Sequence, residues 1–259
     1  MGRFGNYFVT DKYGMRSGPL SKKKAADELR VLVFGDSVVN GGNLTDREDL
    51  ATTLLARSLA KDLGRTVYVG NVSAGSWGPG NWLAWAREYG FFDADVVVLV
   101  ASSHDAADNP TFAPLDPSTH PQAKPFSALT EGVTRYLPRY LPQPAAKAAP
   151  VPSEAQAVAA MQRGLSDLRE FLLLAYVRAP RVLLLQHPEK REIESGRWQP
   201  GHDAIARVAT ECDVPVIQLA PALAAAIQRG KQPYRDNIHV NEIGQAVLAK
   251  VLRREVESR

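Results

Sequence analysis

The stretch RVLVFGDSVVNGG, residues 30–42, decides the fold. Four apolar residues, Val31 to Phe34, follow Arg30 and stop at Gly35, which suits a buried strand ending in a tight turn. A strand without a polar face belongs in a parallel sheet covered on both sides, and the chain downstream keeps the rhythm that such a sheet needs. From Asp46 to Leu63 the residues Leu50, Leu54, Leu55, Leu59 and Leu63 recur at helical spacing, with Thr45 placed as N-cap and Gly64 as stop. Further strands are predicted at Thr66–Val72, Asp95–Ala101, Arg181–Gln186 and Val214–Leu219. Helices are predicted at about Asn81–Tyr89, Ser153–Tyr176 and Asp203–Cys212, and after Asn241, where Ile243, Val247, Leu248 and Val251 share a face. The fold class expected is α/β: a doubly wound, mainly parallel five-stranded sheet with helices on both faces and its site beyond the carboxyl ends of the strands.

At 259 residues the chain is expected to form a single domain, residues 1–259. The rhythm breaks between Asn109 and Ser153, which hold ten of the 18 prolines and little periodicity beyond a short helix around Ser127–Tyr136. An insertion of this kind reads as a lid, a binding loop or a mobile segment, and its tail QPAAKAAPVP as a low-complexity linker. No internal repeat is present.

With 45% hydrophobic and 23% charged residues the composition is that of a soluble globular protein. The net charge of +3 is scattered, which argues only weakly for an anionic partner. Cys212 is the only cysteine, so neither an internal disulfide nor a cysteine-based zinc site can form, and core packing is its expected role. The start MGRFGNYFVTDKYG lacks the apolar run of a signal peptide, and no stretch reaches about 18 apolar residues. A cytoplasmic protein without a membrane span is expected; a chain that had lost an anchor would read the same and would be extracytoplasmic. No GxGxxG or GxxxxGK[ST] follows a strand, and no nucleic-acid reader motif appears, so nucleotide and nucleic-acid binding are not expected.

Chemistry concentrates in two places. Ser37, in Gly35-Asp36-Ser37, falls at the carboxyl edge of the first strand beside backbone N–H groups that can hold an oxyanion. Alone, Gly-Asp-Ser is a common turn. Asp236 and His239, in YRDNIHVNEIG, are spaced so that the carboxylate can reach imidazole Nδ1–H and leave Nε2 as a general base. Alone, this pair reads equally well as a turn cap and a packed histidine.

Together, GDSVVNGG at residues 35–42 and DNIHVNEIG at 236–244 resemble the SGNH (GDSL-like) hydrolases, from about residue 30 to the C-terminus. The resemblance implies Ser37 as nucleophile with His239 and Asp236 as its partners. It also implies an oxyanion hole made by the N–H of Ser37 and that of Gly75 or Ser76, within NVSAGSWGPGN. The family's GxND reads SSHD here, which puts His104 where an oxyanion-binding asparagine is expected; an imidazole N–H can still donate. Asp36, Trp77, Asn81 and Asp105 are the candidate substrate-binding residues, Trp77 as a platform for a sugar ring. Trp82 and Trp85, at helical spacing, are expected in the core. In HPEKREIESGRW, residues 187–198, Lys190, Arg191 and Arg197 can meet an anionic polymer, although such a run is more often a solvated loop.

The whole organisation, including TDKYGMRS before the first strand, looks like the SGNH proteins of bacterial polysaccharide acetylation systems. That implies a carbohydrate or polysaccharide substrate whose acetyl ester is hydrolysed or transferred, with no metal and no organic cofactor. The departure at His104 keeps a second reading open, a catalytically weakened carbohydrate-binding or scaffold protein. Oligomeric state is not legible.

Overall fold

The structure, a computed structural model, describes residues 2–3, 6–114, 123–141 and 153–258. The chain divides into two compact units, residues 1–110 with 157–259 and residues 111–156. In the first unit a hairpin of two-residue strands pairs Gly2–Arg3 with Asn6–Tyr7, and the strands of the main sheet are β1 (Leu29–Gly35), β2 (Val67–Ser73), β3 (Val96–Ser102), β4 (Arg181–His187) and β5 (Val216–Gln218). They form one parallel sheet in the order β2-β1-β3-β4-β5, as expected of a doubly wound fold. The connections diverge between β1 and β3, and that switch point opens a crevice at the strands' carboxyl ends.

Alternation along the strands supplies two cores. Leu32, Phe34, Val97, Leu99 and Leu184 face one side of the sheet. They pack against α3 (Pro79–Tyr89), α4 (Glu154–Arg178) and α6 (Pro200–Glu211) through Trp82, Trp85, Phe171 and Ile205. Val31, Val33, Val98, Val100 and Leu185 face the other side and meet α2 (Ala51–Leu63), α7 (Ala220–Gln228) and α8 (Glu242–Glu257). Trp82 and Trp85 are buried, as their spacing predicts, and Cys212 packs in the first core.

Four elements depart from expectation. α2 starts at Ala51 rather than Asp46, because Arg47–Asp49 form a 3-10 turn capped by Asp46, whose Oδ1 accepts from Glu48 N at 3.0 Å. β5 is three residues long because Pro215 has no N–H to give the sheet and contributes only its carbonyl, 2.9 Å from Leu184 N. α7, and α5 (Lys190–Ser195) within the stretch read as a loop, were not anticipated.

In the second unit Ser127 caps a helical turn, Ala128–Glu131, which continues as a π turn to Tyr136 and a 3-10 turn to Tyr140. The predicted short helix is therefore present, whereas QPAAKAAPVP lies outside the described residues. Among the described residues no helix is long and apolar enough to cross a membrane.

Candidate active site

Ser37 opens α1 (Ser37–Asn40), a single turn entered directly from β1. The first N–H groups of a helix have no acceptor within it, so those at the start of α1 must find partners outside the helix. Asp36 caps the turn, its Oδ1 accepting from Val38 N at 2.8 Å. Gly35 is obligatory: a Cβ there would come within 2.4 Å of Val39 Cγ2 and 3.2 Å of the Val100 carbonyl. Trp82 Nε1 donates to the Gly35 carbonyl at 3.0 Å, and Asn40 Nδ2 donates to the Ser73 carbonyl at 2.9 Å, tying the turn to α3 and β2. Beyond it the chain reverses at Gly41, φ 71°. The buried Arg16 holds the following loop, donating to the carbonyls of Gly42 at 2.8 Å and Thr45 at 2.6 Å. Burial lowers its pKa to about 10, partly offset by Asp46, so it stays charged at neutral pH. TDKYGMRS thus supplies a strut for the site, which the sequence alone did not reveal.

The second half of the site is the turn before α8. Asp236 Oδ1 accepts from the backbone N–H of Ile238 at 2.8 Å and of His239 at 2.7 Å, and its Oδ2 lies 2.7 Å from His239 Nδ1. His239 Nε2 lies 2.9 Å from Ser37 Oγ. With Nδ1–H given to the carboxylate, Nε2 presents its lone pair to the serine hydroxyl. Burial would raise the Asp236 pKa, but the hydrogen bonds from His239 and Ile238 outweigh it and hold the carboxyl below its ordinary value. The His239 and Asp236 side chains are 39% and 53% exposed, so water reaches this pair. A cavity of about 260 Å³ adjoins Ser37 and His239, walled by Gly41–Leu44 on one side and by Arg235, Asp236 and Val240 on the other.

β4 braces this turn from beneath. Burial keeps His187 below its usual pKa, hence neutral, and its Nε2–H donates to the Ile238 carbonyl at 2.9 Å. Lys190 N donates to the Asn237 carbonyl at 2.7 Å and Arg191 N to Asn237 Oδ1 at 3.1 Å, while Tyr234 Oη donates to the Pro188 carbonyl at 2.6 Å. The stretch expected to be solvated buries Glu189 and Glu192; Glu192 Oε1 accepts from Ser103 Oγ at 2.7 Å. Lys190, by contrast, is only partly buried, beside Glu194 at 3.7 Å.

The remaining predicted residues have varied placements. Gly75 and Ser76 are exposed on the turn after β2, Ser76 at φ 57°. Trp77 is partly buried against the first core rather than standing free as a platform. Asn81 Oδ1 accepts from Gly78 N at 3.1 Å, capping α3. Asp36 and Asp105 lie under the site, not on its surface: both are buried, and Asp105 Oδ2 accepts from Ser102 N at 2.7 Å. His104 does not stand free as an oxyanion donor. Its Nε2 faces Asp36 Oδ2 at 3.4 Å and Asp105 Oδ1 at 3.5 Å, and its Nδ1 faces Glu189 Oε1 at 3.3 Å. Burial works against a charge on His104, but Asp36, Asp105 and Asp108 raise its pKa to about 9 and make it an imidazolium at neutral pH. Asp105 is pushed well up by burial and by Asp36, only partly offset by His104. Asp36, His104 and Asp105 are also the one trio among the described residues whose donor atoms, all within 4.8 Å of one another, are close enough to share a metal ion.

A serine and a histidine meeting at the switch point of a parallel three-layer sheet define a class, and comparison with known proteins places the chain in it. The GDSL-like lipase/acylhydrolase family matches residues 33–247, and the chain belongs to that family. The same fold recurs in solved structures. An acetyl xylan esterase, AlAXEase, is 16% identical over 88% of this chain and 100% of its own, with a TM-score of 0.58. The acetylxylan esterase Axe2 of Geobacillus stearothermophilus is 12% identical over 92% of this chain and 98% of its own, TM-score 0.56. A member of the lipolytic G-D-S-L family from Veillonella parvula DSM 2008 is 14% identical over 89% and 99%, TM-score 0.55. A search of curated proteins finds no match.

Proposed function

We propose that the chain is a serine esterase that removes acetyl groups from a carbohydrate, with Ser37 as nucleophile, His239 as general base and acid, and Asp236 orienting the imidazole. One observation carries this reading: the hydrogen-bonded line from Asp236 through His239 to Ser37 Oγ, with contacts of 2.7 and 2.9 Å. Ser37 Oγ attacks the acetyl carbonyl while Nε2 takes its proton. The N–H groups of Ser37 and of Gly75 or Ser76 hold the oxyanion. His239 then returns the proton to the departing sugar oxygen, leaving an acetyl-serine. Water, deprotonated by the same Nε2, releases acetate and restores Ser37. His104 acts on this centre through Asp36 rather than by touching the oxyanion. Acetyl xylan esterases among the proteins sharing this fold favour an acetylated polysaccharide as the substrate class. Transfer to a second sugar hydroxyl follows from the same acetyl-enzyme, but the solvent exposure of His239 and Asp236 favours water as acceptor.

The test is to incubate the protein with acetylated xylo-oligosaccharides, with and without an unacetylated acceptor, and follow acetate by NMR. Acetate release that disappears in Ser37→Ala supports the esterase. Acetyl groups moving to the acceptor without free acetate would replace it with a transferase. Sugar binding with neither product would leave a binding protein.

A further inference from the structure

The two halves of the site come from opposite ends of the chain, and one buried carboxylate stands between them. Glu189 is 7% exposed. Its Oε2 accepts from Asn237 Nδ2 at 2.6 Å, in the turn that carries Asp236 and His239. Its Oε1 lies 3.3 Å from His104 Nδ1, and the other nitrogen of that ring faces Asp36, the cap of the turn that carries Ser37. We propose that Glu189 is a positioning residue that sets the approach of His239 to Ser37, by holding Asn237 on one side and, through His104, Asp36 on the other. The proposal rests on the roles given to Ser37 and His239 above.

Asn237 cannot turn its amide away without loss. Arg191 N donates to its Oδ1 and Lys190 N to its carbonyl, so Nδ2 is the end left for Glu189. Glu189 is itself oriented, since Glu192 Oε2 accepts from Glu189 N at 2.8 Å and Glu192 is buried. Hydrogen bonds to a carboxylate are short and directional, which suits a strut that must hold a contact near 2.9 Å. A neutral or apolar side chain at this position would keep the fold's outline but lose one or both anchors.

The experiment compares the full chain with Glu189→Ala, Glu189→Gln and Asn237→Ala, at a temperature where circular dichroism shows each folded. With a small acetyl ester, Glu189→Ala should lower kcat by about 10–100-fold at nearly unchanged KM and slow fluorophosphonate labelling of Ser37 to the same degree. Glu189→Gln should recover part of this, because its Oε1 still accepts from Asn237. Asn237→Ala, on the exposed turn, reaches the same contact from the other side should the buried variants fail to fold. A crystal structure of any one of these variants reads the proposal without reference to activity, as a displaced 236–239 turn and a lengthened His239–Ser37 contact. Parental kcat in folded Glu189→Ala and Asn237→Ala, or an unmoved His239, would overturn the proposal. A parent chain that neither turns over ester nor takes the label would instead overturn the proposed function, with the structures still deciding the role of Glu189.

Discussion

A serine hydroxyl is a poor nucleophile until something removes its proton, and the group proposed for that task is His239 Nε2, 2.9 Å away. Its direction depends on Asp236. Asp236→Asn keeps the side chain's size but turns an amide toward Nδ1, which moves the imidazole proton to the nitrogen facing Ser37. Steady-state kinetics should show kcat falling by about 10⁴-fold with KM little changed; a fall of less than about tenfold contradicts the assigned role. His104 gives a pH prediction. Its pKa is raised from 6.5 to about 9 in the folded chain, so its ion pairs stabilise fully below about pH 6.5 and that contribution is lost as pH rises through 9. The melting temperature of the parent should exceed that of His104→Asn at about pH 6, and the gap should narrow by about pH 10. An unchanged gap means His104 is not the charged partner of these carboxylates. The meeting of Ser37, Asp236 and His239 was legible in the sequence because each sits in a short motif with its own spacing. Glu189 was not: inside EKREIE it has the look of a solvated acid, and its burial arises only when β4 delivers it between residues 85 positions upstream and 48 downstream. The same holds for Asp36 and Asp105, which chemistry alone put on the substrate and packing put beneath it.

At the scale of the element, the junction of β1 and α1 leaves little room for change. Gly35→Ala would drive a methyl into Val39 and the Val100 carbonyl, and overpacking of this kind costs about 1–3 kcal/mol. Because the strain falls on the residue two before Ser37, ester hydrolysis should fall more than the loss of stability explains; a stable, fully active variant contradicts the geometry of the turn. The entry to α8 is a milder case. Asn241 Oδ1 accepts from Ile243 N at 3.0 Å and Gly244 N at 3.2 Å, so Asn241→Ala should cost about 0.5–2 kcal/mol in urea unfolding. Most elements were readable because hydrophobic period and end signals agreed, as for α2 with Gly64 at its C-terminus, φ 59°. β5 and α7 were misread or missed for local reasons. Pro215 shortens the strand, and an alanine-rich run such as APALAAAIQ carries little apolar periodicity although alanine favours helix.

On the scale of the whole molecule, the sheet order explains why two motifs 200 residues apart meet. β1 carries Ser37 to the switch point, and the last crossing returns the 236–239 turn to the same edge. The core behind it depends on Phe171, whose ring packs with Phe34, Trp82 and Phe91 at centroid distances of 4.9–6.4 Å. Phe171→Ala should cost about 3–5 kcal/mol, read as a lower urea midpoint with an unchanged slope. Alternating apolar strands and helices made this architecture visible in the sequence, whereas the proline-rich stretch gave only its own short helix. The central claim, an activated serine at position 37, is tested most directly by treating the parent, Ser37→Ala and His239→Ala with a fluorophosphonate and mapping the label by mass spectrometry. One adduct on the peptide containing Ser37, absent from Ser37→Ala and strongly slowed in His239→Ala, is the predicted result; label on another serine, or none on the folded parent, would contradict it.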